Sequence, residues 1–159
     1  MIRLACTSLL FSCLLVGIVG CIQPASPTTF SPDETLKTFA GDWELVAFET
    51  AGKKLSQKAI GEISVSFEKD RCQLAGVYPG SGGFAVEEYL IQVHPTNSEK
   101  EVDFTYAKGP RQGIARQAIY SLQGTELKIC MGNAGEPRPT EFASKEKPPT
   151  LLMVLKRRQ

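Results

Sequence analysis

Few residues of this chain are of types and spacings that could do chemistry. A single histidine, His94, stands beside a proline at the end of an alternating run. It is either a lone catalytic base or an exposed loop imidazole, and the second is the plainer reading. A zinc site needs three or four ligands at set spacings, and neither Cys-x-x-Cys nor His-Glu-x-x-His occurs. A serine triad would have to lean on His94 alone. Glu87, Glu88 and Glu141 could act as acids, or could simply be solvated on the outer side of a strand. Arg111 and Arg116 could receive an anion at the mouth of a barrel. Pro79-Gly80-Ser81-Gly82-Gly83 lacks the lysine and the following helix that a phosphate cradle requires, so it reads as a hairpin turn. No catalytic residue, no metal site and no cofactor is expected, and the chain is read as not an enzyme.

The elements around these residues begin with an export segment. Met1 to Gly20 carries one charge, Arg3, and an apolar run from Leu9 to Val19 that is short for a bilayer span. The run ends in Ile18-Val19-Gly20-Cys21, which resembles the bacterial lipobox. Small side chains there give a peptidase access to the bond before Cys21, and the freed thiol takes a diacylglycerol. The resemblance implies lipidation of Cys21 and acylation of its amino group by a chain such as palmitate. Two or three acyl chains, at about 0.8 kcal/mol per buried methylene, hold a protein on a membrane stably. Ile22 rather than aspartate follows, which by the same resemblance favours the outer membrane, facing the periplasm.

Residues 1–20 are therefore read as a signal peptide, 21–37 as a lipidated cysteine with a flexible tether, and 38–159 as the folded domain. Gln23 to Pro32 holds three prolines and four hydroxyl residues, the composition of a solvated spacer. Ser31 can cap a short helical turn that Pro32 opens. Cys72 and Cys130 then remain as an even pair in an oxidising compartment. They form either a disulfide or two buried thiols. Cys72 shares a face with Leu74, whereas Cys130 is opposite in face to Leu127 and Ile129, which speaks against pairing.

Downstream of Gly41 the chain alternates. Ile63, Val65 and Phe67 are expected inward, then Tyr89, Ile91 and Val93, then Val102, Phe104 and Tyr106, then Leu127, Ile129 and Met131. The first strand, Asp42 to Thr50, is apolar on both faces, which predicts a bulge or burial on both sides. Gln123-Gly124 is expected to form a two-residue hairpin turn. The segment from Gly132 to Pro149 is the longest connection. About eight strands joined in sequence predict an all-β fold, a single up-and-down antiparallel β-barrel, whose closure removes exposed sheet edges. A β-sandwich is the rival, and only the connection after Met131 could supply its crossing. Phe67, Tyr89, Phe104 and Tyr120 are the candidates to line the interior. Eight strands enclose a space that side chains can just fill. The interior therefore either takes a small apolar ligand or is packed solid.

Gly41-Asp42-Trp43, with a basic cluster at the end of the last strand, resembles the lipocalin pattern. It implies a guanidinium or ammonium stacked on the only tryptophan at the closed end of the barrel. Lys156, Arg157 and Arg158 are the candidates, and Arg157 is taken as the barrel-closing partner of Trp43. A wider set of landmarks resembles the uncharacterised lipocalin-like domain family common in planctomycete bacteria. It comprises Gly41-Asp42-Trp43-Glu44-Leu45-Val46, Gly52-Lys53-Lys54-Leu55, Ile119-Tyr120-Ser121-Leu122, Leu127-Lys128-Ile129-Cys130, Arg138-Pro139-Thr140-Glu141-Phe142 and Leu155-Lys156-Arg157. It implies a membrane-anchored envelope lipoprotein. The barrel would bind a small apolar ligand or an envelope partner, or serve as an interaction module with a filled core. Lys and Arg number 18 against 17 acidic residues, which gives no footing for nucleic acid. A monomer is expected.

Overall fold

The computed structural model describes residues 31–60, 63–77, 83–95 and 100–159. The expected signal peptide, Cys21 and the rest of residues 21–30 of the expected tether, and most of the glycine-rich turn at 79–83 lie outside the described residues.

The inward residues of the alternating runs meet around one axis. β1 (Gly41–Thr50) is followed by a two-residue strand, β2 (Lys53–Lys54). Then come β3 (Ser64–Glu68), β4 (Arg71–Val77), β5 (Phe84–Pro95), β6 (Lys100–Tyr106), β7 (Ala115–Gln123), β8 (Glu126–Gly132) and β9 (Thr150–Arg157). Apart from β2, each strand pairs antiparallel with the next, and β9 returns to pair with β1. The result is a closed up-and-down barrel of eight strands with β2 as a small extra strand on β1. A sandwich would need two separate sheets, and here one sheet runs continuously through every strand.

The double-faced apolar pattern of β1 comes from a bulge. Leu45 pairs with Leu155 and Ala47 with Val154, leaving Val46 as the extra residue. Trp43 and Leu45 point inward before the bulge, and Phe48 packs against the core after it, so the strand changes face once. Ala51 and Gly52 both have positive φ, 49° and 75°, as a tight I′-type turn between β1 and β2 requires. The β7–β8 turn lies one residue later than expected. Gln123 pairs with Glu126, so Gly124 and Thr125 make the turn, with Gly124 at φ 57°.

One end of the barrel is plugged. Helix α1 (Pro32–Phe39) starts at Ser31, whose side chain accepts from the Glu34 N–H while Glu34 answers the Ser31 N–H. Phe39 is wholly buried, its ring against Tyr120 at 4.9 Å and Phe67 at 5.5 Å. Thr35 is buried and Leu36 packs on the same core. Residues 32–37, assigned to the tether from composition, therefore form part of the barrel floor. Three apolar or half-apolar positions on one side of a two-turn helix are enough to fill the end of the ring.

A second helix, α2 (Gln57–Ile60), is a single turn that buries Ile60. The long connection 133–149 does not cross between sheets. It lies as a strap on the outside of the barrel, held by Arg138. That guanidinium donates to the carbonyls of Ala118 at 2.6 Å and Val102 at 3.2 Å, and pairs with Asp103 and Glu101. Beneath the strap the outward-facing Ile119 and Cys130 are buried, apart from the main core.

Trp43 has no exposed surface. Trp43→Ala is expected to cost about 3–5 kcal/mol in chemical denaturation, and a loss below about 1 kcal/mol would show that the floor does not need the indole. Arg138→Ala should loosen the strap, since each hydrogen bond from a charged group contributes about 1.5–3 kcal/mol. Labelling of Cys130 by a thiol reagent should then accelerate by about tenfold or more while Cys72, inside the barrel, stays slow.

Candidate functional site

The barrel has a sealed floor and a polar mouth. At the floor the carbonyls that end α1 have no partners within the helix. The Trp43 indole N–H donates to the Phe39 carbonyl at 2.8 Å. Arg157 donates to the carbonyls of Thr38 and Ala40, each at 2.6 Å. Its guanidinium carbon lies 4.3 Å from the centre of the Trp43 ring, directly across the β1–β9 pair. Of the three basic candidates, Arg157 is therefore the one on the indole. Gly41 is required here twice over. Its φ is +119°, and a Cβ would come within 3.0 Å of the Arg157 Nη1.

Above this floor lies a cavity of about 190 Å³. Phe67, Tyr89 and Phe104 line it, together with Leu74, Met131 and Met153. Tyr120, expected among them, does not. Its ring stands edge-on to Phe39, and its hydroxyl bonds with Thr35, so it is part of the floor packing. The reason is α1, which occupies the space that an open-ended barrel would have left beside Tyr120.

Polar groups gather at the upper rim. Glu87 sits two residues before Tyr89 and shares its inward face, so it is not one of the solvated outer carboxylates. Glu88, which does face outward, pairs with Lys108, and that contact holds its carboxyl below the usual range. The Tyr89 hydroxyl donates to the Glu87 Oε2 at 2.5 Å. Arg111 pairs with the Glu87 Oε1 and donates to the Tyr106 hydroxyl at 2.7 Å, its guanidinium stacked 4.2 Å from the Tyr106 ring centre. Tyr106 in turn bonds to Tyr89. Burial first, and then the Glu87 carboxylate, push the Tyr89 phenol up, and burial raises Tyr120. Both are neutral at physiological pH. Arg116 also lines the cavity. Its Nε donates to the Gly132 carbonyl at 2.9 Å and its Nη2 to Asn133 at 3.3 Å.

The remaining candidates are separated. Cys72 and Cys130 are both free and buried, and no disulfide joins them. Cys72 faces the interior between Phe67 and Tyr89. Cys130 faces out on β8 and donates its thiol to the Ala143 carbonyl of the strap. The barrel wall stands between them. Burial pushes both thiols up, so neither is poised as a thiolate. His94 is not on an exposed loop. It lies half-buried on β5, 2.8 Å from Asp103, which also binds Arg138. Glu141 is exposed and pairs with Lys145. Cys21 lies outside the described residues. No cluster of metal-ligating side chains exists among the described residues, and no described helix is long and apolar enough to cross a membrane.

The class that fold and site define is a closed eight-stranded antiparallel barrel with a plugged floor and a small interior cavity. Comparison with protein-family models, with curated proteins and with solved structures finds no match to this chain.

The raised phenols carry a pH signature. A group whose protonated form is favoured by folding contributes fully below its ordinary value, 10.0 for tyrosine, and loses that contribution as pH rises. Unfolding free energy should therefore fall steeply above about pH 10. Tyr89→Phe should flatten that alkaline slope by close to one proton, as read from denaturation at several pH values. An unchanged slope would place Tyr89 in water.

Proposed function

We propose that this chain is a membrane-anchored lipoprotein of the bacterial envelope whose barrel binds a small apolar ligand in the cavity above the plugged floor. The observation that carries the reading is that cavity. It is lined by aromatic and methionine side chains, backed by a solid floor and bordered by convergent polar groups. Its volume of about 190 Å³ is decisive for scale. Drug-sized ligands occupy about 300–1,000 Å³, whereas an engineered cavity of about 150 Å³ takes benzene. The ligand is therefore small, and a long lipid is not the fitting occupant. The anchoring part of the reading rests on Ile18-Val19-Gly20-Cys21 and the short apolar run before it. The lipocalin-like landmarks support the same setting, outside the cytoplasm and facing the periplasm.

A second reading is favoured by a different surface. Val77, Phe84 and Val86 are exposed on the outside of the β4–β5 hairpin, with Phe84 at 73%. Val77 lies directly across from Phe84. A partner that covers this patch would make the barrel an interaction module instead.

Two measurements test the proposal together. Native mass spectrometry of detergent-extracted protein should show the barrel with a co-purifying small molecule, and that mass should vanish when Met153→Trp fills the cavity. A protein that carries nothing, and whose Met153→Trp form is unchanged, would favour the interaction module. Cys21→Ser should release the chain from membranes, and retention would defeat the anchor.

A further inference from the structure

Among the described residues that line the cavity, two arginines stand against one carboxylate, and the imbalance indicates what the ligand carries. Glu87 is used up. One carboxylate oxygen takes Arg111 and the other takes the Tyr89 hydroxyl. Arg111 in turn donates to Tyr106, so this chain of groups is closed on itself. Arg116 is different. Its recorded partners are a backbone carbonyl, Gly132, and a side-chain amide oxygen, Asn133. No carboxylate among the described residues lies within ion-pair distance of it. A guanidinium offers five N–H donors in a planar fork. Two are occupied by these neutral acceptors, which fix the plane of the group. The other donors are the pair of edges that a carboxylate meets in a bidentate contact.

We propose that the cavity is a site for a small organic monoanion, with an apolar body about the size of one six-membered ring seated among Phe104, Met131 and Met153 and its carboxylate on Arg116. The inference rests on the reading of the barrel as a ligand binder and adds the chemistry of the ligand. One uncompensated cation matches one negative charge. A cationic ligand would face two arginines. A neutral ligand would fill the apolar part but leave the Arg116 donors to water. The lining is otherwise apolar, so discrimination between an anion and a neutral molecule of the same shape falls on that one side chain.

The test uses the full chain in a detergent with an uncharged sugar headgroup, with benzoate, benzyl alcohol and benzylamine as probes in isothermal titration calorimetry. Benzoate should bind on the order of tenfold or more tighter than benzyl alcohol, and benzylamine should bind least. Arg116→Gln should bring benzoate down to the level of the alcohol while the alcohol itself is unchanged. Arg116→Lys, which keeps the charge and loses the fork, should retain part of the preference. Equal affinity for benzoate and benzyl alcohol in the unaltered chain would overturn the anion site and leave the apolar-ligand reading standing. So would a preference that survives Arg116→Gln. Binding of none of the three would overturn both. Should Arg116→Gln fail to fold, the unaltered chain and Arg116→Lys decide the matter between them.

Discussion

The structure depends on how the end of one short helix is capped. The last carbonyls of α1 accept from the Trp43 indole and from Arg157, which belong to the first and last strands of the barrel. A cation at a helix C-terminus is favourable, by about 0.3–1 kcal/mol at an exposed site. Its stacking on an indole adds about 0.5–2 kcal/mol. These sums are modest beside the burial of Trp43 and Phe39, each of which is worth several kcal/mol. The polar contacts matter more for uniqueness. They fix which face of α1 turns inward and bring β9 to β1 in a single register. Gly41 makes this possible by vacating the space that the guanidinium needs.

Filling the floor decides what the rest of the interior can be. Phe39 meets Tyr120 and Trp43 meets Phe67 edge to face across the lower barrel, with Phe39 tilted against Phe67. An eight-stranded ring has little volume beyond this. What remains is a small upper cavity, and the groups around it are polar because the chain leaves the sheet there. Glu87 tolerates its inward position because both of its oxygens are satisfied. Arg111 comes from the loop after β6 and closes the circuit. Polar groups at an apolar site are costly unless paired, and among the described residues each of these is paired, Arg116 with neutral acceptors only.

Much of the barrel was legible because period-two alternation survives in nearly every strand. Ile63, Val65 and Phe67 are inward as expected, and so are Tyr89, Ile91, Val93, Val102, Phe104 and Tyr106. The two-faced pattern of β1 pointed to burial on both sides or to a bulge, and the bulge is what forms. Other features left weaker traces. The plug helix is short and begins in a proline-rich segment, so its two buried contacts were hidden by composition. Tyr120 has the right parity for the interior, but parity does not say how deep in the barrel a residue lies. Glu87 stayed open between an acid and a solvated carboxylate because a carboxylate inside is exceptional, although the spacing to Tyr89 already placed it on the inward face. The strap was legible only as a long loop. Its anchor, Arg138, acts through backbone carbonyls of Val102 and Ala118, and no sequence pattern announces that kind of contact. The two cysteines separated as their opposite faces suggested.

The seam between β1 and β9 has a kinetic corollary. Arg157 reaches back across 117 residues to Ala40. During synthesis the first strand has partners, β2 and β3, on one margin only, and its other margin stays bare until β9 has emerged. Non-local pairing of this kind is slow, because loop-closure entropy must be overcome before the contacts form. A chain that ripens only at its final strand remains threadable until late.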